Sequence, residues 1–409
     1  MTGRHGLVIL LLATAMLVVL LAAVERNYFS VSSGAISSEA FIQELRGCLT
    51  DREAVIKCAP EIIRKQMEGH TASETMKVLS DSFSTRDCHV MGHTVGQTAY
   101  KKTGSVEKAI SDCGLTCGSA CIHGAIGQAF IQESGINTDT IDLQHLSADE
   151  VRTYGKALCK TVDTCHGVGH ILFQLYNEID TPLATCTDIT EGIKRQSCFT
   201  GLFMENADMV STHNLLLETR KKQVRDVTDL AYPCNAVPRE ARHACLRYQF
   251  RVQKEIFEET GITDIKKQYQ IRKQVCESFE GAQDRTDCFE GLGFSAYMLI
   301  HDDPSRAHRY CNNFSQTTDR AACMLGMTFW ATNFGQIQES LSFCEGVAAE
   351  YERNICYHGV FEIVIAEGEP PKTAGRYCEK QDKASLCMSG YEAYLANPWS
   401  QLFGLPIKS

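Results

Sequence analysis

The chain has 409 residues, 44% hydrophobic and 22% charged, a globular composition long enough for two or three domains or one long repeat array. Its formal net charge is −10 and it carries no basic block, which argues against nucleic acid as a partner. Twenty cysteines suit disulfides outside the cytosol, and none stands in a Cys-x-x-Cys-His context, so covalent c-type haem has no support.

Residues 1–5 form a short flank. Residues 6–24 carry no charge and are long enough to span a bilayer, longer than the apolar core of a cleaved signal peptide. The reading is an uncleaved transmembrane signal anchor that contacts the membrane through residues 6–24. The bulk of the chain is then extracytoplasmic, periplasmic or at the cell surface, or secreted if the segment is cleaved. Residues 25–37 read as a linker.

Residues 38–180 read as an N-terminal helical region with a His/Cys-rich segment. Cys48 and Cys58 open it as a spaced pair. Thr71-x-x-Glu74 and Ser147-x-x-Glu150 have the form of capping boxes. Between these starts the chain twice writes Cys-His-x-x-Gly-His, first as Cys88-His89-Val90-Met91-Gly92-His93 and then as Cys165-His166-Gly167-Val168-Gly169-His170. Histidines four apart share one face of a helix. A helix starting near Cys121 would lie between the two motifs and carries His123. His89, His93, His123, His166 and His170 are therefore expected to converge as metal ligands. Neutral imidazole suits Zn, Cu, Fe or Ni, and an all-nitrogen set does not choose among them; Zn, Cu and Fe are the ions to test. Gln97, Gln128, Gln174 and Glu178 fall one or two turns further on as supporting or extra ligands. The competing readings are ordinary polar packing and a pH-sensitive patch. His70, His145, His213, His243, His301 and His308 are scattered and read as surface residues.

The cysteines of this segment are less regular. Cys113 with Cys121 and Cys88 with Cys117 is one consistent pairing, and Cys159/Cys165 is a tight pair, but sequence does not fix connectivity. Cys113, Cys117 and Cys121 could instead offer thiolates to a metal.

Residues 181–396 repeat. Cysteine pairs Cys186/Cys198, Cys234/Cys245, Cys276/Cys288, Cys311/Cys323, Cys344/Cys356 and Cys378/Cys387 are each expected as a disulfide, as is Cys48/Cys58. Most second cysteines begin a Cys-x-x-Gly phrase that runs into an apolar stretch, as in Cys198 to Gly201 and Cys356 to Gly359; after Cys245, Tyr248 stands in the glycine's place. The last repeats start about 33–35 residues apart, a period typical of two-helix units. The expected unit is an αα-hairpin stapled at its turn, with the glycine admitting a neighbouring helix. The layout resembles the cysteine-rich Sel1-like repeat proteins, disulfide-stapled relatives of the tetratricopeptide solenoids. That resemblance, over roughly residues 180–395, implies an all-α solenoid and suggests protein or peptide binding; it carries no functional residues. Residues 397–409 read as a C-terminal tail, either a cap or a mobile end.

No P-loop, G-x-S-x-G or H-E-x-x-H motif is present, and the G-x-G at Gly291 and Gly293 is weak as a phosphate cradle. Two functions follow. One is a membrane-anchored extracytoplasmic helical repeat protein with a His-rich transition-metal site. The alternative is a non-enzymatic envelope scaffold that binds a protein or peptide. Catalytic residues are not identifiable from the sequence.

Overall fold

The structure, a computed structural model, describes residues 38–49, 52–114, 116–134, 147–176, 178–208, 224–297, 299–366, 369–398 and 404–406. The anchor and linker expected before residue 38 lie outside them, and no helix of the described residues is long and apolar enough to cross a membrane.

The described residues form α-helices and one 3-10 helix, with no strand. In chain order the α-helices are α1 (Ser38–Cys48), α2 (Arg52–Met67), α3 (Ala72–Ser82), α4 (Thr85–Thr103), α5 (Val106–Cys113), α6 (Thr116–Ser134), α7 (Ala148–Leu158), α8 (Val162–Tyr176), α9 (Asp180–Ile189) and α10 (Gly192–Asp208). They continue as α11 (Arg239–Glu259), α12 (Ile265–Glu277), α13 (Ala282–Ser295), α14 (Leu299–Asp302), α15 (Pro304–Asn312), α16 (Thr317–Asn333), α17 (Ile337–Glu345) and α18 (Glu350–Ala366). The 3-10 helix Ala374–Lys380 and α19 (Ala384–Ala396) close the series. Both capping boxes form: Thr71 starts α3 and Ser147 starts α7, each with its glutamate returning to the cap backbone.

The longer helices α2, α4, α6, α8, α10, α11, α13, α16, α18 and α19 stack in chain order, each on the next. The shorter α1, α3, α5, α7, α9, α12, α15, α17 and the 3-10 helix each pack on the long helix that follows, giving a repeat-like series of αα-hairpins. Nine disulfides sit between a first helix or turn and the helix after it: Cys48–Cys58, Cys113–Cys121, Cys159–Cys165, Cys186–Cys198, Cys234–Cys245, Cys276–Cys288, Cys311–Cys323, Cys344–Cys356 and Cys378–Cys387. The tenth, Cys88–Cys117, is of another kind and ties α4 to the start of α6. All cysteines are thereby bridged, which overturns the thiolate reading of Cys113, Cys117 and Cys121. Ten bridges point to an oxidising, extracytoplasmic environment.

Glycine sets how closely the long helices approach. A Cβ on Gly96 of α4 would lie 1.8 Å from the Cys121 carbonyl oxygen, and one on Gly124 of α6 would lie 1.9 Å from the His93 carbonyl oxygen. Each glycine thus meets the carbonyl three residues before the other. The same reciprocal crossing recurs between Gly169 and Gly201, against Cys198 and His166, and between Gly293 and Gly326, against Cys323 and Glu290. Gly291 sits on the Leu246 carbonyl, so Gly291 and Gly293 serve helix contact. Tyr248, at the glycine's offset in α11, is buried with its ring edge-on against Phe294 of α13.

Candidate metal centre

α4, α6 and α8 lie side by side, and their glycine-filled crossings bring the histidine faces together. His89 and His93 come from α4, His123 from α6, and His166 and His170 from α8. Ring centroids are 4.9 Å apart for His89–His93, 5.8 Å for His89–His123 and 5.7 Å for His93–His123. On the other side they are 4.9 Å for His123–His166, 5.2 Å for His123–His170 and 4.8 Å for His166–His170. The cluster is sheltered: His93, His123 and His170 are 2%, 3% and 0% exposed, and His166 keeps a partly exposed edge.

Hydrogen bonds set the tautomers. His89 Nδ1 lies 2.7 Å from the Cys117 carbonyl oxygen, which only accepts, so Nδ1 carries the proton. Thr200 Oγ1 donates to the Ser197 carbonyl at 2.7 Å and so accepts from His166 Nδ1, 3.0 Å away. His170 Nδ1 donates to Glu205 Oε2 at 2.9 Å, and Gln174 Nε2 donates to Glu205 Oε1 at 2.9 Å. In each neutral ring Nε2 then holds the lone pair. A histidine whose second nitrogen is tied to a carboxylate, hydroxyl or carbonyl is the usual arrangement of a metal ligand.

The Cys117 carbonyl is placed by an unusual bend. Cys117, Gly118 and Ser119 have φ of 56°, 62° and 58°, a left-handed turn ahead of the regular part of α6. Two of these residues are not glycine, so the bend is strained, and the Cys88–Cys117 bridge holds it.

Electrostatics favour neutral rings. Burial holds His123 well below the ordinary imidazole range, and repulsion from His166, His170, His93 and His89 adds to it. Burial does the same to His166, helped by His170 and His89. Uncharged imidazoles in contact are a ready ligand set for a cation.

The sequence did not reveal Thr200 and Glu205. Both lie on α10, outside either motif, and the only signal was polar residues within the apolar run after Cys198. Glu178 does not join the cluster. Its carboxylate accepts from the backbone of Asp180 and Thr181 at the start of α9.

His243, expected at the surface, is instead buried, 4% exposed, and lies with Asp287 and Glu290. Its Nε2 is 3.0 Å from Glu290 Oε1, and Arg247 Nη2 is 3.3 Å from the same oxygen. Burial alone would lower the His243 pKa, but the Glu290 and Asp287 carboxylates outweigh it and hold it above the ordinary value. Burial pushes Asp287 up to about 7. Residues 404–406 lie against this group: Gln283 Nε2 donates to both Asp287 Oδ1 and the Leu405 carbonyl, and Leu405 is buried. With two cationic side chains already on Glu290, the group reads as a charge-balanced buried network. Of the other histidines expected outside, His70 and His308 are half-buried, and His308 stacks on Phe343. His145, His213 and the His301 side chain lie outside the described residues.

The two clusters occupy matching places in the stack. Three residues before their crossing glycines stand His166 and Glu290, and two residues after Cys121 and Cys245 stand His123 and Arg247. The scaffold therefore accepts an Arg–Glu pair where the first half of the chain has two imidazoles. No family model matches this chain, and no curated protein or solved structure matches it either. The site is read from its own geometry, which defines a disulfide-stapled, all-helical, repeat-like protein with His groups able to hold a metal ion.

Proposed function

We propose that the protein is an exported α-solenoid, anchored to the membrane through residues 6–24, that holds a resident transition metal in a polyhistidine centre. The observation that carries this reading is the convergence of His89, His93, His123, His166 and His170 in one cluster, four of them buried and His166 partly so. Packing five largely sheltered imidazoles against one another opposes protonation and leaves lone pairs that a Zn, Cu or Fe ion would satisfy. Ten disulfides supply a rigid frame, and Cys117, Thr200 and Glu205 orient three of the rings.

The test is elemental analysis of the protein purified without a His tag after exposure to Zn, Cu and Fe, beside a variant with His89, His93, His166 and His170 changed to Ala. Stoichiometric metal in the parent and none in the variant is the expected result. Absence of metal from the parent sinks the reading and leaves the envelope scaffold, whose protein or peptide partner would bind equally well to both forms.

A further inference from the structure

We propose that the centre is binuclear, with one ion on His89 and His93, a second on His166 and His170, and His123 between them. This rests on the metal-binding reading above and specifies how the five histidines divide.

The donor atoms sort into two sets, His89 with His93 and His123, and His123 with His166 and His170; within each set they lie within 4.8 Å of one another. Only His123 belongs to both. An ion with metal–nitrogen bonds of about 2.0–2.1 Å spans donors no more than about 4.1 Å apart, and the five donors do not all lie within 4.8 Å of one another, so one ion does not hold all five. Ring spacing agrees. Neighbours within each set are 4.8–5.8 Å apart, while His93 and His170, the contact between the two pairs, are 6.4 Å apart.

Each pair is organised as a ligand unit. His93 Nε2 donates to His89 Nε2 at 3.2 Å, and moving that proton to His93 Nδ1 leaves two Nε2 lone pairs facing each other. Two nitrogens on one tetrahedral ion stand about 3.3 Å apart, so this pair accepts an ion with little movement. At the other end the Nδ1 protons of His166 and His170 go to Thr200 and Glu205, which turns both lone pairs to Nε2.

His123 makes the two ions unequal. Its Nδ1 is buried with no hydrogen-bond partner among the described residues. A neutral imidazole has one lone pair and so completes one ion. The other ion keeps two protein nitrogens and coordination positions for solvent or a bridging anion. Two such ions with open positions would supply the kind of clamp that two-metal hydrolytic sites use.

The experiment is a Co2+ titration of metal-free full-length protein followed by its visible absorption, with bound metal counted by elemental analysis. Two ions per chain, bound with different affinities, are expected. The paired substitution His89→Ala/His93→Ala should leave one ion, and His166→Ala/His170→Ala should also leave one, with helical circular dichroism unchanged. One ion in the parent overturns the binuclear proposal while the metal-binding reading stands; no ion overturns both. If either Ala pair fails to fold, the parent stoichiometry decides.

Discussion

Gly96 and Gly124 each occupy the space beside the other helix's carbonyl, and this crossing seats His93 next to His123. Alanine at Gly96 would drive a methyl into the Cys121 carbonyl and the Ala125 amide, both backbone, so α4 and α6 must separate. Gly96→Ala should destabilise by about 3 kcal/mol, as overpacked sites do, and lower the metal capacity with it. Gly47 in α1 has nothing within 4 Å of the place a methyl would take, so Gly47→Ala should stabilise by about 0.5–1 kcal/mol. Denaturant midpoints of the two variants should move in opposite directions.

Glu205 acts through His170. Replacing it with Gln keeps an acceptor for His170 Nδ1 but removes the charge that makes the ring a stronger ligand. Glu205→Gln should weaken metal binding about 10–100-fold while the metal-free protein melts nearly as before. Competition with a chelator of known affinity measures the change. An unaltered affinity would show that the carboxylate serves packing alone.

Metal-free protein should lose stability in mild acid. His123 and His166 titrate well below their unfolded value of about 6.5, chiefly because they are buried. Below that pH the unfolded chain takes up protons that the folded cluster refuses. Stability contributed by the neutral cluster is thus present above about pH 6.5 and is lost as pH falls. Metal loss should follow in the same range, since protons and the ion compete for the same nitrogens. Thermal melts from pH 7.5 to 5 should show the fall, and a variant with all five histidines replaced by Gln should flatten it.

Asp287 has the opposite sign. Its folded pKa, about 7, lies above the unfolded value of about 3.9, so the folded state binds this proton more tightly. Its contribution is complete below about pH 4 and is lost as pH rises through about 7. Asn at this position keeps an acceptor for Gln283 and cannot ionise. Asp287→Asn should therefore raise the melting temperature relative to the parent by a few degrees at pH 8 and little at pH 4.5. An equal shift at both pH values would mean that Asp287 is not protonated in the fold.

The sequence carried the parts of this architecture that are local. A cysteine near one helix end, its partner early in the next helix and a glycine three residues on repeat with a regular period, so pairs such as Cys276–Cys288 could be paired by eye. The His cluster was legible because i,i+4 spacing dictates a shared face. What the sequence hid was register across helices. The two Cys-His-x-x-Gly-His motifs look equivalent, yet Gly96 follows Cys88 by eight residues and Gly169 follows Cys165 by four. In the packed structure His93, not His89, therefore takes the place of His166 beside a crossing glycine. Nothing local to His243 marks it as buried, because its carboxylate partner Glu290 lies 47 positions away. Glu205, 35 positions from His170, was hidden for the same reason.

The Cys88–Cys117 bridge bears on how the molecule is made. It fixes the left-handed bend whose carbonyl orients His89, and it closes only after α4 and the start of α6 have met. The bridge therefore bears on the orientation of the His89 ring, while the shared face of His89 and His93 comes from α4 alone. On the proposed function, oxidation of this pair should come before metal loading. A chain lacking this one bridge would keep both histidines on one face of α4 but lose the covalent hold on the bend that orients His89.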